Sequence, residues 1–293
     1  MSNTLQSLNR KIAGAGDLQG VVRSMKALAA SSIGQYEKSV ASLDDYYRTV
    51  ELGLVACLRQ GEPLLAEKSR RHDITIGAVV FGSDQGLVGR FNEVVSEFAM
   101  AKLASLPGKK KVWPVGDRVR ELMTDTGLAQ GDVRSVPTSI DAITPFVGQL
   151  IITIETARER GDVEEVHLFY NHPKSGALYE PVGKRLLPLD QTWQHKIAGM
   201  PWPTKSPPEV IGDVKAQLEA FVREYLFVVF FQACAESLAS ENASRLAAMQ
   251  RAEKNIETIL DELNRRFHSI RQESIDEELS DVIAGFKALK TRR

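Results

Sequence analysis

From Asp213 through Ala284 the chain contains neither glycine nor proline, the two residues most costly inside a helix. At ~1.5 Å per residue a helix of that length runs for roughly 100 Å, far beyond the three turns usual in a globular domain. A helix like this gains little from propensity alone and needs a partner to cover its apolar seam. Val210, Val214, Leu218, Phe221 and Tyr225, then Leu238, Leu246, Met249, Ala252, Ile256, Ile259, Leu263, Phe267, Ile270, Leu279, Val282 and Phe286 supply the seam. The opposite end of the chain supplies the partner. Leu5, Leu8, Ile12, Ala15, Leu18, Val22, Met25 and Ala29, followed by Tyr36, Val40, Leu43, Tyr47 and Val50, recur mainly at steps of three and four, which is a helical stripe. The expectation is an antiparallel coiled coil of the two termini. Gly14, Gly16, Gly20, Gly34 and Gly53 weaken its first helix by about 1 kcal/mol each relative to alanine.

All 12 prolines lie between Pro63 and Pro208, so the middle must fold differently. Ile74 to Phe81 is a β-rich run, followed by a glycine-containing loop and a helical pattern from Phe91 to Leu106. The alternation continues with a strand at Lys111 to Val115, a helix at Asp117 to Thr126, a strand near Val133 to Val136 and a helix at Thr144 to Arg160. Val163 to Tyr170 and Leu178 to Pro188 give two more strands. Strand–helix alternation predicts a mostly parallel sheet. The fold class is therefore α/β plus long helices, with a Rossmann-like α/β domain inserted into the coiled coil. The divisions expected are 1–62 for the first long helix, 72–190 for the α/β domain, 191–208 for a connector and 209–289 for the last long helix.

Composition narrows the function. With 37 Lys plus Arg against 38 Asp plus Glu the net charge is −1, which lacks the basic excess of a nucleic-acid binder. Cys57 and Cys234 stand far apart with no CxxC spacing, so neither a disulfide framework nor a metal knot is expected, and a reducing compartment is. No basic segment followed by an apolar run opens the chain, so no secretory signal is expected. The densest apolar run, Tyr225 to Phe231, is too short to span a bilayer, and the apolar segment Phe221 to Phe231 reads as a core helix covered on every side.

One loop sits where α/β proteins bind phosphates: Gly82-Ser83-Asp84-Gln85-Gly86-Leu87-Val88-Gly89-Arg90 follows a strand and precedes a helix. Its spacing fits neither GxGxxG nor GxxxxGK[ST], so it reads as a structural turn, with a nucleotide site as the alternative. His72, His167, His172, His195 and His268 show no metal-ligand spacing. No catalytic residue, cofactor site or metal site is expected.

Three segments resemble a known family, the γ subunit of the F-type ATP synthase. Arg10-Lys11-Ile12-Ala13 with Val22 to Ser31 resembles its first helix; Ser83-Asp84-Gln85-Gly86-Leu87-Val88-Gly89-Arg90-Phe91-Asn92 resembles its S-D-x-G-L-C-G-x-x-N loop, with Ser83, Asp84, Gly86 and Gly89 as loop residues; Ala239 to Met249 and Arg271 to Leu279 resemble its last helix. The resemblance implies a non-catalytic central rotor shaft that couples ion flow through a membrane c-ring to ATP synthesis or hydrolysis. Its implied partners are the α and β subunits, the ε subunit and the c-ring, with no nucleic acid. It further implies peripheral association with the cytoplasmic face of the cell membrane. By motif position, Met25, Arg245 and Gln272 would touch the catalytic subunits. Ser32, Ile33, Gly34 and Gln35 stand where basic residues are common, Val88 where Cys is, and Asp276 where Thr is, and the chain ends in the basic run Lys287 to Arg293. These departures point to a divergent or alternative-ATPase branch. The competing reading from another class is a nucleotide-using α/β enzyme with a helical dimerisation arm.

Overall fold

The computed structural model describes residues 2–60, 74–124, 128–132, 134–174, 177–189, 191–206 and 208–290. The predicted ends at 62, 72 and Thr126, the strand residue Val133, His72 and the side chains of Phe286 and the basic tail lie outside the described residues. The chain divides into two units, residues 1–29 with 246–293, and residues 30–245. Two helices run through both: α1 (Ser2–Ala41) and α7 (Val214–Lys290), the latter 77 residues long.

In the first unit α1 and α7 pair along an apolar seam. On α1 the buried and half-buried positions up to Ala29 are Leu5, Leu8, Ile12, Ala15, Gln19, Val22, Met25, Lys26 and Ala29, mostly at steps of three and four. Facing them on α7 are Met249, Ile256, Leu260, Leu263, Phe267 and Ile270. Ion pairs fix the direction: Glu253 binds Lys26, and it binds Arg23 at 2.9 Å, while Glu257 lies 3.8 Å from Arg23. Moving back along α1 moves the contact forward along α7, so the helices are antiparallel. The predicted stripe needs correction at four places. Leu18 is 53% exposed and Ile259 48%, because the seam passes through Gln19 and Leu260 instead. Leu279 and Val282 are 58% and 69% exposed, because the described part of α7 has no half-buried residue beyond Ser274.

The Lys26 and Arg23 hydrogen bonds hold the Glu253 carboxyl below its ordinary value. A depressed carboxyl contributes stability that is full above the unfolded value, about 4.5, and disappears as pH falls through the folded one. Thermal unfolding of wild type and Glu253→Gln should therefore differ at neutral pH and converge in acid. A gap that stays constant down to the most acid pH would contradict this.

In the second unit, α1 ends at Ala41 and a turn at Ser42 and Leu43 separates it from α2 (Asp44–Gln60), so the first flank is two helices rather than one. Asp44 and Asp45 occupy the first turn of α2, where carboxylates favour the helix dipole. Gly53 of α2 is a packing device: a Cβ there would lie 2.2 Å from the Phe221 ring of α7. Val50, Leu54 and Cys57 join Leu218 of α7 and Ile197 of α6 (Gln191–Ala198) in one cluster.

The sheet comprises β1 (Thr75–Phe81), β2 (Lys109–Val115), β3 (Ala129–Gln130), β4 (Glu165–Lys174) and β5 (Ala177–Leu187), in the order β3-β2-β1-β4-β5. It is parallel except for the β4–β5 hairpin. Both faces of β1 are covered, which is why it reads as a continuous apolar run. Ile76, Ala78 and Val80 pack with residues of α3 (Phe91–Ala104) and α4 (Asp117–Thr124). Val79 and Phe81 pack with α5 (Ile140–Glu159) and with Leu226, Val229, Phe230 and Cys234 of α7. The predicted strand near Val133 to Val136 contributes a single bridge, Val115 to Arg134, and β3 lies just before it. α5 begins before Pro145, whose missing N–H costs one hydrogen bond of the ladder. By length and composition α5 could cross a membrane, but Ile143, Val147, Leu150 and Ile154 are fully covered by the core.

Candidate functional site

In a doubly wound sheet, ligands enter the crevice beyond the carboxyl ends of the strands where the strand order reverses. Here that point lies between β1 and β4, and the chain's own helix fills it. Ser244 of α7 donates to the Val88 carbonyl. Ser240, one turn earlier, donates to the Asn171 carbonyl of β4 at 3.0 Å, and the Asn171 side-chain amide donates to the Phe91 carbonyl at 2.9 Å. Ser240, Ser244 and Asn171 are buried.

The loop after β1 is closed from within. The Ser83 N–H donates to Asn92 Oδ1 at 2.9 Å and the Asn92 amide returns a bond to Ser83 Oγ at 2.9 Å. Asp84 accepts from the Asp117 N–H at 3.1 Å and the Val136 N–H at 3.0 Å, tying the loop to α4 and to the segment before α5. Gly86 is half-buried, and Gly89 has φ +58. Between them Leu87 sits at φ +62 with its side chain 63% exposed, whereas Val88 is buried. The first N–H of the loop and the carboxylate of Asp84 are thus engaged by the protein itself, and a carboxylate within the loop disfavours an anionic phosphate there. Among the described residues no group of three His, Cys, Asp or Glu side chains could hold a metal. Burial pushes both Cys57 and Cys234 thiols up, away from the thiolate needed for reactivity.

The residues expected to meet partners fall in different settings. Met25 is half-buried against the Val22, Met249 and Ile256 cluster. Gln272 is exposed and donates to Asp276 at 3.2 Å. Arg245 is largely covered, its side chain 13% exposed, with Nη2 bound to Glu241 at 2.6 Å and Nη1 to Asn242 at 3.3 Å. Burial raises the Glu241 carboxyl, Arg245 opposes that, and nearby Asp84 adds to it. The structure therefore brings Asp84 of the loop towards the Glu241–Arg245 pair, and leaves Met25 and Gln272 in the helix pair.

Sequence reasoning missed Asn171, Ser240, Ser244 and Glu241. Glu241 was legible as the partner of Arg245 one turn later on one helix face. Ser240 and Ser244 carried only the weak signal of small polar residues repeating inside a long helix. Glu236 is another such node: it accepts from His172 Nδ1 and Gln232, both at 2.8 Å.

These features define a class: a protein of paired long helices carrying a doubly wound α/β unit whose ligand crevice is taken by its own helix. The family described as ATP synthase matches residues 4–289. The ATP synthase gamma chain of Polynucleobacter asymbioticus is 25% identical over 97% of this chain and 99% of its own. That of Parafrankia sp. is 28% identical over 99% of both. In the cryo-EM structure of Euglena gracilis mitochondrial ATP synthase (OSCP/F1/c-ring, rotational state 3), one chain superposes with a TM-score of 0.68 at 15% identity, covering 99% of this chain and 95% of that one. The chain belongs to the ATP synthase γ family and is a subunit of that complex.

Proposed function

We propose that this chain is the central-stalk rotor of a rotary ATP synthase, non-catalytic in itself, coupling ion flow through the membrane c-ring to ATP synthesis or hydrolysis on a surrounding head of α and β subunits. It also binds an ε subunit and works at the cytoplasmic face of the cell membrane, peripherally and through the complex. One observation carries the reading. The antiparallel helix pair leaves apolar side chains outside its seam, with Leu18, Val21 and Leu28 of α1 53%, 55% and 70% exposed, and Ile275, Leu279, Val282 and Ile283 of α7 47–69% exposed. A lone soluble chain gains nothing from such a surface, whereas a shaft enclosed by other subunits buries it.

The mechanism follows from the shape of that surface. The exposed surface of the helix pair mixes apolar residues such as Leu18, Val21 and Leu28 with charged ones such as Arg10, Asp17 and Arg23, so a lopsided shaft turns a different face to each of three chemically identical catalytic subunits at any angle. Their open and closed states then differ in free energy, and only such differential contact shifts populations. Met25, Arg245 and Gln272 are the contacts we assign to the catalytic subunits. ATP chemistry stays on the neighbours.

Co-expression with α and β subunits should give a complex that contains this chain and turns over ATP. A stable, solitary chain with ATPase activity of its own would refute the proposal and restore the nucleotide-enzyme reading.

A further inference from the structure

An arginine carries five N–H donors in a rigid fork. Two of the Arg245 nitrogens are engaged within α7, by Glu241 one turn earlier and by Asn242, while Nε is buried and has no hydrogen-bond partner. A donor hidden from water without an acceptor costs stability, and such an orphan in a folded protein calls for a reason. Glu241 is itself buried, at 6% exposure, and no cation other than Arg245 is bonded to it among the described residues. The pair is therefore a built element in which one buried carboxylate fixes one guanidinium.

We infer that Glu241 is a positioning residue for Arg245: it folds the guanidinium back along α7 and holds it in one orientation, leaving the second N–H of Nη1 and of Nη2, rather than the buried Nε, for an oxygen acceptor, an acidic side chain or a carbonyl, on a neighbouring subunit. This rests on the contact assigned to Arg245 above. Asn242 accepts from Nη1 at 3.3 Å and so holds the second arm of the fork. An arginine ordered before the partner arrives loses less freedom on contact than one free in solvent.

The test is a double-mutant cycle in the assembled α, β and γ head. Glu241→Gln keeps size and shape while removing the charge that holds the fork. It should lower kcat for ATP hydrolysis roughly three- to tenfold, the loss expected for the net worth of one ordinary hydrogen bond, with KM for MgATP unchanged. Arg245→Ala should lower kcat at least as far, and the double variant no further than Arg245→Ala alone. Glu241→Asp, which sets the carboxylate back by one methylene, should give an intermediate kcat and carries the comparison if Glu241→Gln lowers the assembled yield. Wild-type kcat in the Glu241 variants beside an impaired Arg245→Ala overturns the positioning role alone. So does a double variant whose loss is the product of the two single losses. Wild-type kcat in Arg245→Ala removes the contact itself, and the positioning role with it.

Discussion

Gly116→Ala should destabilise the chain by about 3–5 kcal/mol, the sum of backbone strain and overpacking at a site that cannot relax. Gly116 has φ +107, a conformation that residues with a Cβ rarely adopt, and that Cβ would lie 2.8 Å from the backbone N, C and O of Ser83. Backbone atoms cannot swing aside as a side chain can. Ser83 also accepts the Arg118 N–H at 3.0 Å and leads directly into Asp84, so displacing it loosens the loop that reaches α7 through Val88. Set against a typical total of 5–15 kcal/mol, this is a large share. Urea unfolding of the full chain should show a lower midpoint at constant slope. A loss below about 1 kcal/mol would mean that the Ser83 turn yields more easily than its hydrogen bonds imply.

Phe230→Ala should cost a comparable amount, about 3–5 kcal/mol, by the transfer and cavity terms of a buried aromatic. Phe230 is 1% exposed in the cluster that joins α7 to α5 and one face of the sheet. Phe227, one turn earlier and only half-buried at the edge of that cluster, is the internal control, and its alanine variant should lose clearly less. Equal losses at the two positions would show that α7 is not seated on the sheet by this face.

How far these features can be read in the sequence depends on the range of the interaction. The absence of glycine and proline from Asp213 to Ala284 is a local property, and it is enough to require α7. Period-two and continuous apolar runs likewise reveal β1 and β4. The seam of the helix pair was only half legible. Leu18 and Ile259 belong to the apolar pattern as well as Gln19 and Leu260 belong to the seam, because a helix of 3.6 residues per turn offers neighbouring stripes whose choice the partner makes. The small edge strand β3 fell before its predicted place because its register is set by pairing with Lys111 and Val112, which lie far away in the sequence. The break at Ser42 and Leu43 had no glycine or proline to announce it.

The loop from Ser83 to Arg90 was visible as a motif, and its chemistry was not. Whether such a turn cradles a phosphate or seals itself depends on Asn92, Asp117 and Val136, which are brought to it by folding. The same holds for Arg245, whose guanidinium could face solvent or lie against Glu241 in any helix of this sequence.

By itself the sequence determined the long helices, the alternating α/β order between them and the positions of the motifs, because these follow from propensity and periodicity within a few turns of chain. Only the tertiary structure decided that α7 occupies the crevice between β1 and β4, and that Arg245 is held by a buried carboxylate. Both depend on which groups lose their water together, a property of residues distant in the chain that local pattern does not encode.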